Sequence, residues 1–341
     1  MDKLFAISVI IPMYNAEQYI AECLDSLLNQ TFQDFEVIIV NDSSNDSSRA
    51  IAESYIPKFG ERLKIFDNEK NFGQGYSRNN GLRYATGEYV FFMDADDMLL
   101  LSGLEKMYAV TKYADKVDVV NLTKYYAWDD VKQNCVLVNP KISISVQELL
   151  IENNLKWRIE NLLEDKFMWK IWCRLLRRDF LLENEIFFPE DIEFGEDQIW
   201  THGILFCAEK TVHLPYACYL YRRSKNSITL KERNTLQIIT VRLGVVINGL
   251  KWIDDIIRKN AFLNKNLQLR HEILDHFTRR FYAWILMHAN KKSQTEIYGA
   301  IKREFGDNFG EYDVLISALC TYATKNQREI NNLKKKLNIT S

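Results

Sequence analysis

The stretch YVFFMDADDML, residues 89–99, joins an unbroken apolar run to three carboxylates, Asp94, Asp96 and Asp97. An apolar run without alternating polar residues is typical of a strand covered on both faces, as in a parallel sheet. Several like charges at the end of a buried strand are costly unless something cationic meets them. The stretch therefore predicts a buried parallel strand that ends at a cation site.

The same pattern occurs three times before this strand. Strand-like runs at residues 5–11, 35–40 and 63–68 are each followed by a polar turn and a helical pattern. Asn15 is expected to cap the helix that follows the first run, as the first residue of a capping box. Repeated β-α units imply a mainly parallel, right-handed wound sheet. We therefore predict an α/β fold for the first hundred residues.

Polar side chains follow three of these predicted strands. Tyr14 and Asn15 come after the first strand, Asp42 after the second, and the carboxylates of residues 94–97 after the fourth. Ligands of open α/β sheets bind outside the carboxyl ends of the strands, where these clusters converge. The sequence thus predicts one ligand site at this edge of the sheet.

The pattern changes along the rest of the chain, and after about residue 232 it is purely helical. Before that point it predicts strands within 117–138, helices within 146–187, a short helix at about 196–208 and a strand-like run at 211–223. We expect two domains, which are residues 1–232, with halves 1–100 and 101–232, and a helical C-terminal region, residues 233–341.

Charge and cysteine usage exclude several classes of protein. With 44 Lys and Arg against 46 Asp and Glu, the formal net charge is −2, which argues against nucleic acid as a partner. Six cysteines without a C-x-x-C pair are neither a zinc framework nor a dense disulfide scaffold, so we expect reduced thiols in a cytoplasmic protein. The apolar runs are shorter than the roughly 20 residues of a membrane-spanning helix.

The last quarter of the chain is basic. Residues 251–341 contain 16 Lys and Arg and 10 Asp and Glu. One interpretation is peripheral docking on the anionic inner face of the cell membrane, beside a lipid-linked acceptor. The other, which we prefer, is a helical cap on the catalytic domain or a contact between subunits of a homo-oligomer.

The acidic turn has two interpretations of its own. The D-x-D spacing lets two carboxylates reach one hard cation, and Mg²⁺ or Mn²⁺ commonly bridges a few carboxylates to substrate phosphates. Alternatively, Asp96 and Asp97 start a turn and cap a helix that begins near Ser102.

Four segments, in this order, resemble the family 2 glycosyltransferases with the GT-A fold that act in bacterial surface-glycan synthesis. They are ISVIIPMYN (7–15), FEVIIVNDSSNDSS (35–48), NFGQGYSRNNGLRYATGEYVFFMDADD (71–97) and FGEDQIW (194–200). The resemblance covers roughly residues 6–100 and 167–229. It implies a Rossmann-like GT-A domain, here with an α-helical C-terminal extension.

The resemblance also implies an activity. Family members of this kind are inverting transferases that move a sugar from a nucleotide-sugar donor, commonly UDP-linked, to a hydroxyl of a glycan or lipid-linked glycan acceptor. For this chain it implies synthesis of a surface polysaccharide, lipopolysaccharide or glycoconjugate, with Mn²⁺ or Mg²⁺ as cofactor.

Roles on the donor side follow from the matching positions. The resemblance implies that the nucleotide contacts Pro12, Tyr14, Asn15 and Asp42. It implies that Asp96 is the main ligand of the cation, while Asp94 contacts the ribose or the metal.

Further roles follow from the remaining motifs. Arg78 is implied to orient the carboxylates or a phosphate, and Arg222 or Arg223 to contact the diphosphate. Asp197 matches the general base that deprotonates the acceptor, with Glu196 as the alternative.

Three alternatives remain open at this point. Trp169 and Trp172 either stack on an acceptor sugar or belong to the core, which is the commoner place for aromatic residues at helical spacing. A sugar nucleotidyltransferase shares the metal carboxylates, but it normally carries a Gly-rich loop with Arg or Lys where this chain has PMYNAEQY. A non-catalytic scaffold subunit that binds nucleotide sugar would not need both the acidic turn and Asp197.

Overall fold

The computed structural model describes residues 5–130, 132, 134–138, 150–166, 168–190, 192, 195–223 and 235–289, together with the single residues 296, 299 and 303. Backbone contacts divide the chain into two compact units, residues 1–227 and 228–341. Each unit is described by itself below.

The first unit is built from alternating strands and helices. Its strands are β1 (Ile7–Met13), β2 (Phe35–Asn41), β3 (Leu63–Asp67), β4 (Tyr89–Phe92), β5 (Met98–Leu99), β6 (Val119–Leu122), β7 (Tyr125–Asp129), β8 (Asn134–Val138), β9 (Leu150–Glu152), β10 (Arg174–Arg177), β11 (Thr211–Leu214) and β12 (Tyr219–Arg223). Its helices are α1 (Ile20–Leu28), α2 (Ser48–Glu53), α3 (Ile56–Phe59), α4 (Gln74–Tyr84), α5 (Gly103–Val110), α6 (Leu155–Leu163), α7 (Arg178–Glu183) and α8 (Glu196–Cys207), with 3₁₀ turns at Gly60–Arg62 and Ile171–Cys173.

The large sheet has the strand order β3-β2-β1-β4-β10-β6-β11-β9. Its first four strands are parallel, with Ile7 opposite both Phe35 and Tyr89. The apolar side chains of β1 and β2 are fully buried, as expected for strands covered on both faces. The predicted α/β fold with a mainly parallel sheet is therefore confirmed.

One part of the large sheet differs from the sequence prediction. Strands β9 and β10 lie within residues 146–187, where the pattern favoured helices. β10 is antiparallel to β4 on one side and to β6 on the other. The four residues of β10, RLLR, are too few for periodicity to assign them to helix or strand, and here hydrogen bonds from two neighbouring strands decide.

A smaller sheet carries the segment that follows the acidic turn. Its order is β5-β12-β7-β8, and β5 begins at Met98, directly after Asp97. Tyr219 of β12 lies opposite Leu99 of β5. The acidic turn therefore connects the large sheet to the small one.

The capping role predicted for Asn15 is wrong. Helix α1 begins only at Ile20, and the residue at its N-cap position, Tyr19, makes no side-chain capping hydrogen bond. Asn15 instead adopts a left-handed conformation with φ 48°. Its main-chain N–H donates to Ser44 Oγ (3.0 Å), and its Oδ1 accepts from Asn45 N–H (3.0 Å). Asn15 thus connects the loop after β1 to the loop after β2.

Helix α4 packs closely on the large sheet because it carries a glycine where it crosses β1. A Cβ atom at Gly81 would lie 2.4 Å from Ile10 Cγ2. The close approach fixes the position of α4, and with it that of Arg78, relative to the strands.

The second unit, as far as it is described, contains the helices α9 (Thr235–Lys259), α10 (Ala261–Lys265) and α11 (Leu267–Ala289). Ile253, Ile257 and Ile273 are fully buried in it. Asp254 accepts hydrogen bonds from Arg258 (2.8 Å) and from Arg270 (2.6 and 2.7 Å). No helix among the described residues is long and apolar enough to cross a membrane. Residues 290–341, apart from 296, 299 and 303, lie outside the described residues.

Candidate active site

The three carboxylates of the acidic turn have different environments. Asp94 is partly exposed, and its Oδ1 accepts a hydrogen bond from the Arg78 guanidinium at 2.8 Å. Asp97 is fully buried, and it accepts from Tyr219 O–H at 2.5 Å and from Arg222 N–H at 2.7 Å. Asp97 therefore attaches the turn to β12, and its predicted role as a helix cap is wrong. Burial and the neighbouring carboxylates raise the pKa of Asp97 well above its usual range.

Asp96 is the carboxylate of the turn that is left open. Among the described residues, no other residue donates a hydrogen bond to its side chain, whereas Asp94 and Asp97 both have partners. Burial and then the charge of Asp94 raise the pKa of Asp96 to about 6. A cation at this position would relieve that repulsion. Asp96 and the second oxygen of Asp94 are thus the oxygen donors that best fit Mg²⁺ or Mn²⁺.

The carboxylates do not form a complete metal cage by themselves. Within the described part of the chain, no cluster of three or more His, Cys, Asp or Glu side chains could hold a metal ion. Mg²⁺-type sites commonly use one or two protein carboxylates, with water and substrate phosphates as the other ligands. The residues present fit such a shared site.

The start of α8 provides a second acidic pair. Glu196 is 2% exposed, and its Oε1 accepts from the Arg78 guanidinium at 3.1 Å. Burial and then the adjacent Asp197 raise the pKa of Glu196 to about 7. Asp197 is half-buried, and its Oδ1 accepts from Gln198 N–H at 2.8 Å. Burial raises the pKa of Asp197 too, although the charges of Lys170 and Arg78 oppose the effect.

Arg78 joins the two acidic pairs. It is 2% exposed and contacts Asp94 through one terminal nitrogen and Glu196 through the other. Gln74 Oε1 accepts a further hydrogen bond, at 3.1 Å. Because α4 is fixed on β1, this arginine brings the acidic turn and the start of α8 to one place. The predicted orienting role of Arg78 therefore agrees with its contacts.

The residues expected at the nucleotide have unequal access to solvent. Tyr14 is 49% exposed at the end of β1, and Pro12 beside it is half-buried. Asp42 is buried and accepts from Asn68 Nδ2 (2.7 Å) and from the main-chain N–H groups of Phe72 (3.0 Å) and Gly73 (2.8 Å). In this structure Asp42 therefore anchors the turn between β3 and α4, while Tyr14 is open to a ligand.

The two adjacent arginines of β12 also differ. Arg222 is buried among carboxylates, whereas Arg223 is exposed at the end of the strand. Asp130 and Glu22 accept hydrogen bonds from the terminal nitrogens of Arg222. The residues that follow Arg223, Ser224 to Thr229, lie outside the described residues.

The two tryptophans near residue 170, Trp169 and Trp172, also differ in their exposure to solvent. Trp172 is 4% exposed and stacks on Tyr219 (ring centroids 4.3 Å apart) and on Tyr221 (5.3 Å). It belongs to the core and is not accessible to a sugar. Trp169 is half-buried, and its ring lies 5.2 Å from that of His202.

Sequence reasoning missed two residues that organise the site. Tyr219 bonds to Asp97, and Glu22 of α1 bonds to Arg222. A tyrosine in a strand and an acidic residue on a helix are common features, so no local signal indicates either contact. Both contacts join segments that are far apart in the chain.

A cavity of about 360 Å³ lies between the start of α4 and residues 189–192. A Cβ atom at Gly75 would lie 3.5 Å from Glu196 Cγ and 3.3 Å from the Pro189 carbonyl oxygen. The glycine therefore lets α4 lie close to both of these residues. The volume of the cavity is at the lower end of the range for small-molecule sites. The lining consists of Asn71, Phe72, Gly73, Gln74, Gly75, Tyr76, Pro189, Glu190 and Ile192.

Comparison with known proteins assigns the family. Residues 8–150 match the model of glycosyl transferase family 2. The chain is 33% identical over 225 residues to the uncharacterized glycosyltransferase EpsJ of Bacillus subtilis, covering 65% of this chain and 62% of EpsJ, which is less than two thirds of that protein. It is 29% identical over 231 residues to the glycosyltransferase GlyG of Streptococcus pneumoniae, covering 66% of this chain and 73% of GlyG.

The fold has solved relatives as well. The crystal structure of residues 1–349 of S. aureus TarS in complex with UDP-GlcNAc gives a TM-score of 0.56 at 22% identity, covering 89% of this chain and 93% of that one. At this identity the likeness concerns the fold alone. The family model identifies residues 8–150 as a glycosyl transferase family 2 domain, and the likeness to TarS supports the GT-A fold for it.

Proposed function

We propose that this chain is an inverting glycosyltransferase that moves a sugar from a UDP-linked donor to a hydroxyl of a surface-glycan acceptor. The observation that carries the proposal is the Arg78 bridge, which holds Asp94 and Glu196 to one guanidinium. Donor-side carboxylates and a candidate base are thereby parts of one site.

The donor and acceptor classes are supported by relatives. TarS has been crystallised with UDP and with UDP-GlcNAc. A poly(ribitol-phosphate) β-glucosyltransferase of Bacillus spizizenii is 31% identical over 208 residues, which is 60% of this chain and 30% of that enzyme. The TarS complexes support a UDP-linked donor, and the name of the second enzyme supports a polymeric acceptor.

Asp197 is the residue best suited to act as base. It is more exposed than Glu196, whose carboxylate is occupied by Arg78. A raised pKa brings a carboxylate closer to the working pH, which favours proton transfer. In the proposed reaction Asp197 takes the hydroxyl proton, the acceptor oxygen bonds to the anomeric carbon, and the bond from that carbon to the diphosphate oxygen breaks.

One displacement of this kind inverts the anomeric centre and forms no covalent enzyme intermediate. Asp96 and Asp94 would hold a divalent cation, Mn²⁺ or Mg²⁺, which when bound supplies charge stabilisation to the departing diphosphate. Glu196 keeps Arg78 in position and holds the start of α8 next to the acidic turn.

A donor screen tests the proposal. The full chain is incubated with UDP-, GDP- and dTDP-sugars, with and without Mn²⁺, and release of the nucleoside diphosphate is measured. We expect turnover of a UDP-sugar that needs the cation and is lost in D96N. D115N, which removes an exposed carboxylate, serves as the matched control and is expected to behave as the unchanged chain.

Two results would contradict the proposal. Release of pyrophosphate from a nucleoside triphosphate and a sugar 1-phosphate would identify a nucleotidyltransferase. Absence of donor binding in a calorimetric titration with Mn²⁺ would mean that the chain does not use a nucleotide-sugar donor.

A further inference from the structure

Arg222 has the residue type and location of a phosphate contact, yet each of its three guanidinium nitrogens donates a hydrogen bond within the protein. Its Nε donates to the Asp96 carbonyl oxygen at 2.8 Å. One terminal nitrogen donates to Asp130 Oδ1 at 2.9 Å, and the other donates to Glu22 Oε2. The group also lies over the Tyr19 ring, 5.1 Å from its centroid. The side chain is 7% exposed, so little of it faces solvent.

The main chain around Arg222 holds the same acidic turn. Arg222 N–H donates to Asp97 Oδ1 at 2.7 Å, and Tyr219 O–H donates to Asp97 Oδ2 at 2.5 Å. The Tyr219 hydroxyl also accepts from Asp94 N–H at 3.2 Å. Strand β12 therefore contacts the turn at Asp94, at the carbonyl of Asp96 and at Asp97.

The carboxylates that hold Arg222 come from different elements. Glu22 belongs to α1, and Asp130 directly follows β7. For the guanidinium to reach a phosphate, both contacts would have to break, and two carboxylates would lose their cationic partner. Such a loss opposes the movement, since hydrogen bonds between oppositely charged groups are stronger than those between neutral groups.

We propose that Arg222 is a positioning residue: it fixes the main chain at Asp96, so that the Asp94 and Asp96 carboxylates are held for a divalent cation, and it does not contact the donor diphosphate. This inference rests on the proposed function, which supplies the cation and the donor. Residues that orient metal ligands without touching the metal commonly contribute to its affinity.

The geometry also accounts for the use of arginine here. The planar guanidinium donates in three directions at once, to a carbonyl and to two carboxylates. A lysine ammonium is a point charge on a flexible stem and cannot reproduce this fork. R222K therefore keeps the positive charge that a phosphate needs, but it cannot donate to the Asp96 carbonyl oxygen and to both carboxylates at once.

Two affinities separate the two roles. The first is the affinity of the UDP complex for Mn²⁺, measured by electron paramagnetic resonance of the free ion. The second is the affinity for UDP in the presence of EDTA, measured by calorimetry. For R222K we expect a loss of about 10- to 100-fold in Mn²⁺ affinity, as is typical when groups supporting metal ligands are removed, and unchanged UDP affinity in EDTA.

E22Q provides a second variant that leaves Arg222 in place. Glu22 is 56% exposed, so its replacement is compatible with folding and carries the test if R222K is unstable. A looser Arg222 is expected to lower the Mn²⁺ affinity without changing UDP affinity in EDTA. R49K is the matched control, because Arg49 is likewise held by two carboxylates, Glu53 and Asp67, and it should change neither affinity.

Three results would overturn the inference. These are a loss of UDP affinity in EDTA for R222K, a gain in that affinity for E22Q as the arginine is freed, and unchanged Mn²⁺ affinity in both variants. Each is distinct from a failure of the proposed function, in which the unaltered chain would bind no UDP and both proposals would fall together.

Discussion

The acidic turn shows how three like residues acquire different roles through their contacts. Asp94 is paired with Arg78, Asp97 is buried in hydrogen bonds from β12, and Asp96 has no donor from another described residue. The family resemblance ranks Asp96 first as the metal ligand, whereas the D-x-D spacing alone fits either carboxylate. The sequence could not predict the role of Asp97, since that role depends on Tyr219, a residue distant in the chain.

Glu196 is expected to make the stability of the chain depend on pH. Its pKa is raised from 4.5 to about 7 in the folded chain, so the folded state binds more protons than the unfolded state in this interval. Stability is then fully present below pH 4.5 and decreases as the pH rises to about 7. In E196Q this decrease should be smaller, as measured by urea unfolding at several pH values.

The control for E196Q is E61Q, which removes an exposed carboxylate. We expect E61Q to keep the pH dependence of the unchanged chain. If E196Q kept it as well, Glu196 would not be the titrating group.

At the scale of elements, the turn between β3 and α4 depends on one side chain. Asp42 accepts from the N–H groups of Phe72 and Gly73, directly before α4 begins at Gln74. In D42N an amide NH₂ replaces one acceptor oxygen, and a half-buried main-chain N–H loses its hydrogen bond to this side chain. We expect a loss of about 1–3 kcal/mol in the free energy of unfolding. Amide hydrogen exchange at Phe72 and Gly73 should become faster.

D34N is the control for this variant, since the Asp34 side chain is exposed. Protection of the Phe72 and Gly73 amides should stay unchanged there. Equal protection in D42N would mean that Asp42 does not anchor the turn.

The contact of α4 with β1 opposes helix propensity at Gly81. In an exposed helix, Gly→Ala stabilises by about 1 kcal/mol. At Gly81 the new Cβ would lie 2.4 Å from Ile10 Cγ2, and overpacking of this kind costs typically 1–3 kcal/mol. We expect G81A to lower the denaturant midpoint. R83A on the exposed side of the same helix should change it little, and a raised midpoint in G81A would show that α4 can move away from the strand.

Element by element, the sequence predicted what local patterns determine. β1, β2 and β4 lie in mainly apolar runs and β3 in a shorter strand-like run, and their parallel pairing follows from the helices between them. β10 was assigned to a helical region, because its four residues become a strand only through hydrogen bonds to β4 and β6. Asn15 has the residue type of a helix cap, but its contacts with Ser44 and Asn45 place it in a link between loops.

At the scale of the whole molecule, the candidate site depends on contacts between distant segments. Arg78 and Glu196 are 118 positions apart, and Arg222 and Glu22 are 200 positions apart. The order of the motifs carries the resemblance to a family, and that resemblance predicted that these regions act together. Which arginine meets which carboxylate depends on packing of the first unit, and single-sequence patterns contain no such information.

The central claim is that Asp197 acts as base in a site shared with the donor carboxylates. Its most direct test is D197N, assayed for sugar transfer and for binding of the UDP-sugar with Mn²⁺ under the same conditions. We expect donor affinity to be retained and transfer to fall about 10²- to 10⁴-fold, the usual contribution of a general base. Near-normal transfer by D197N would contradict the account.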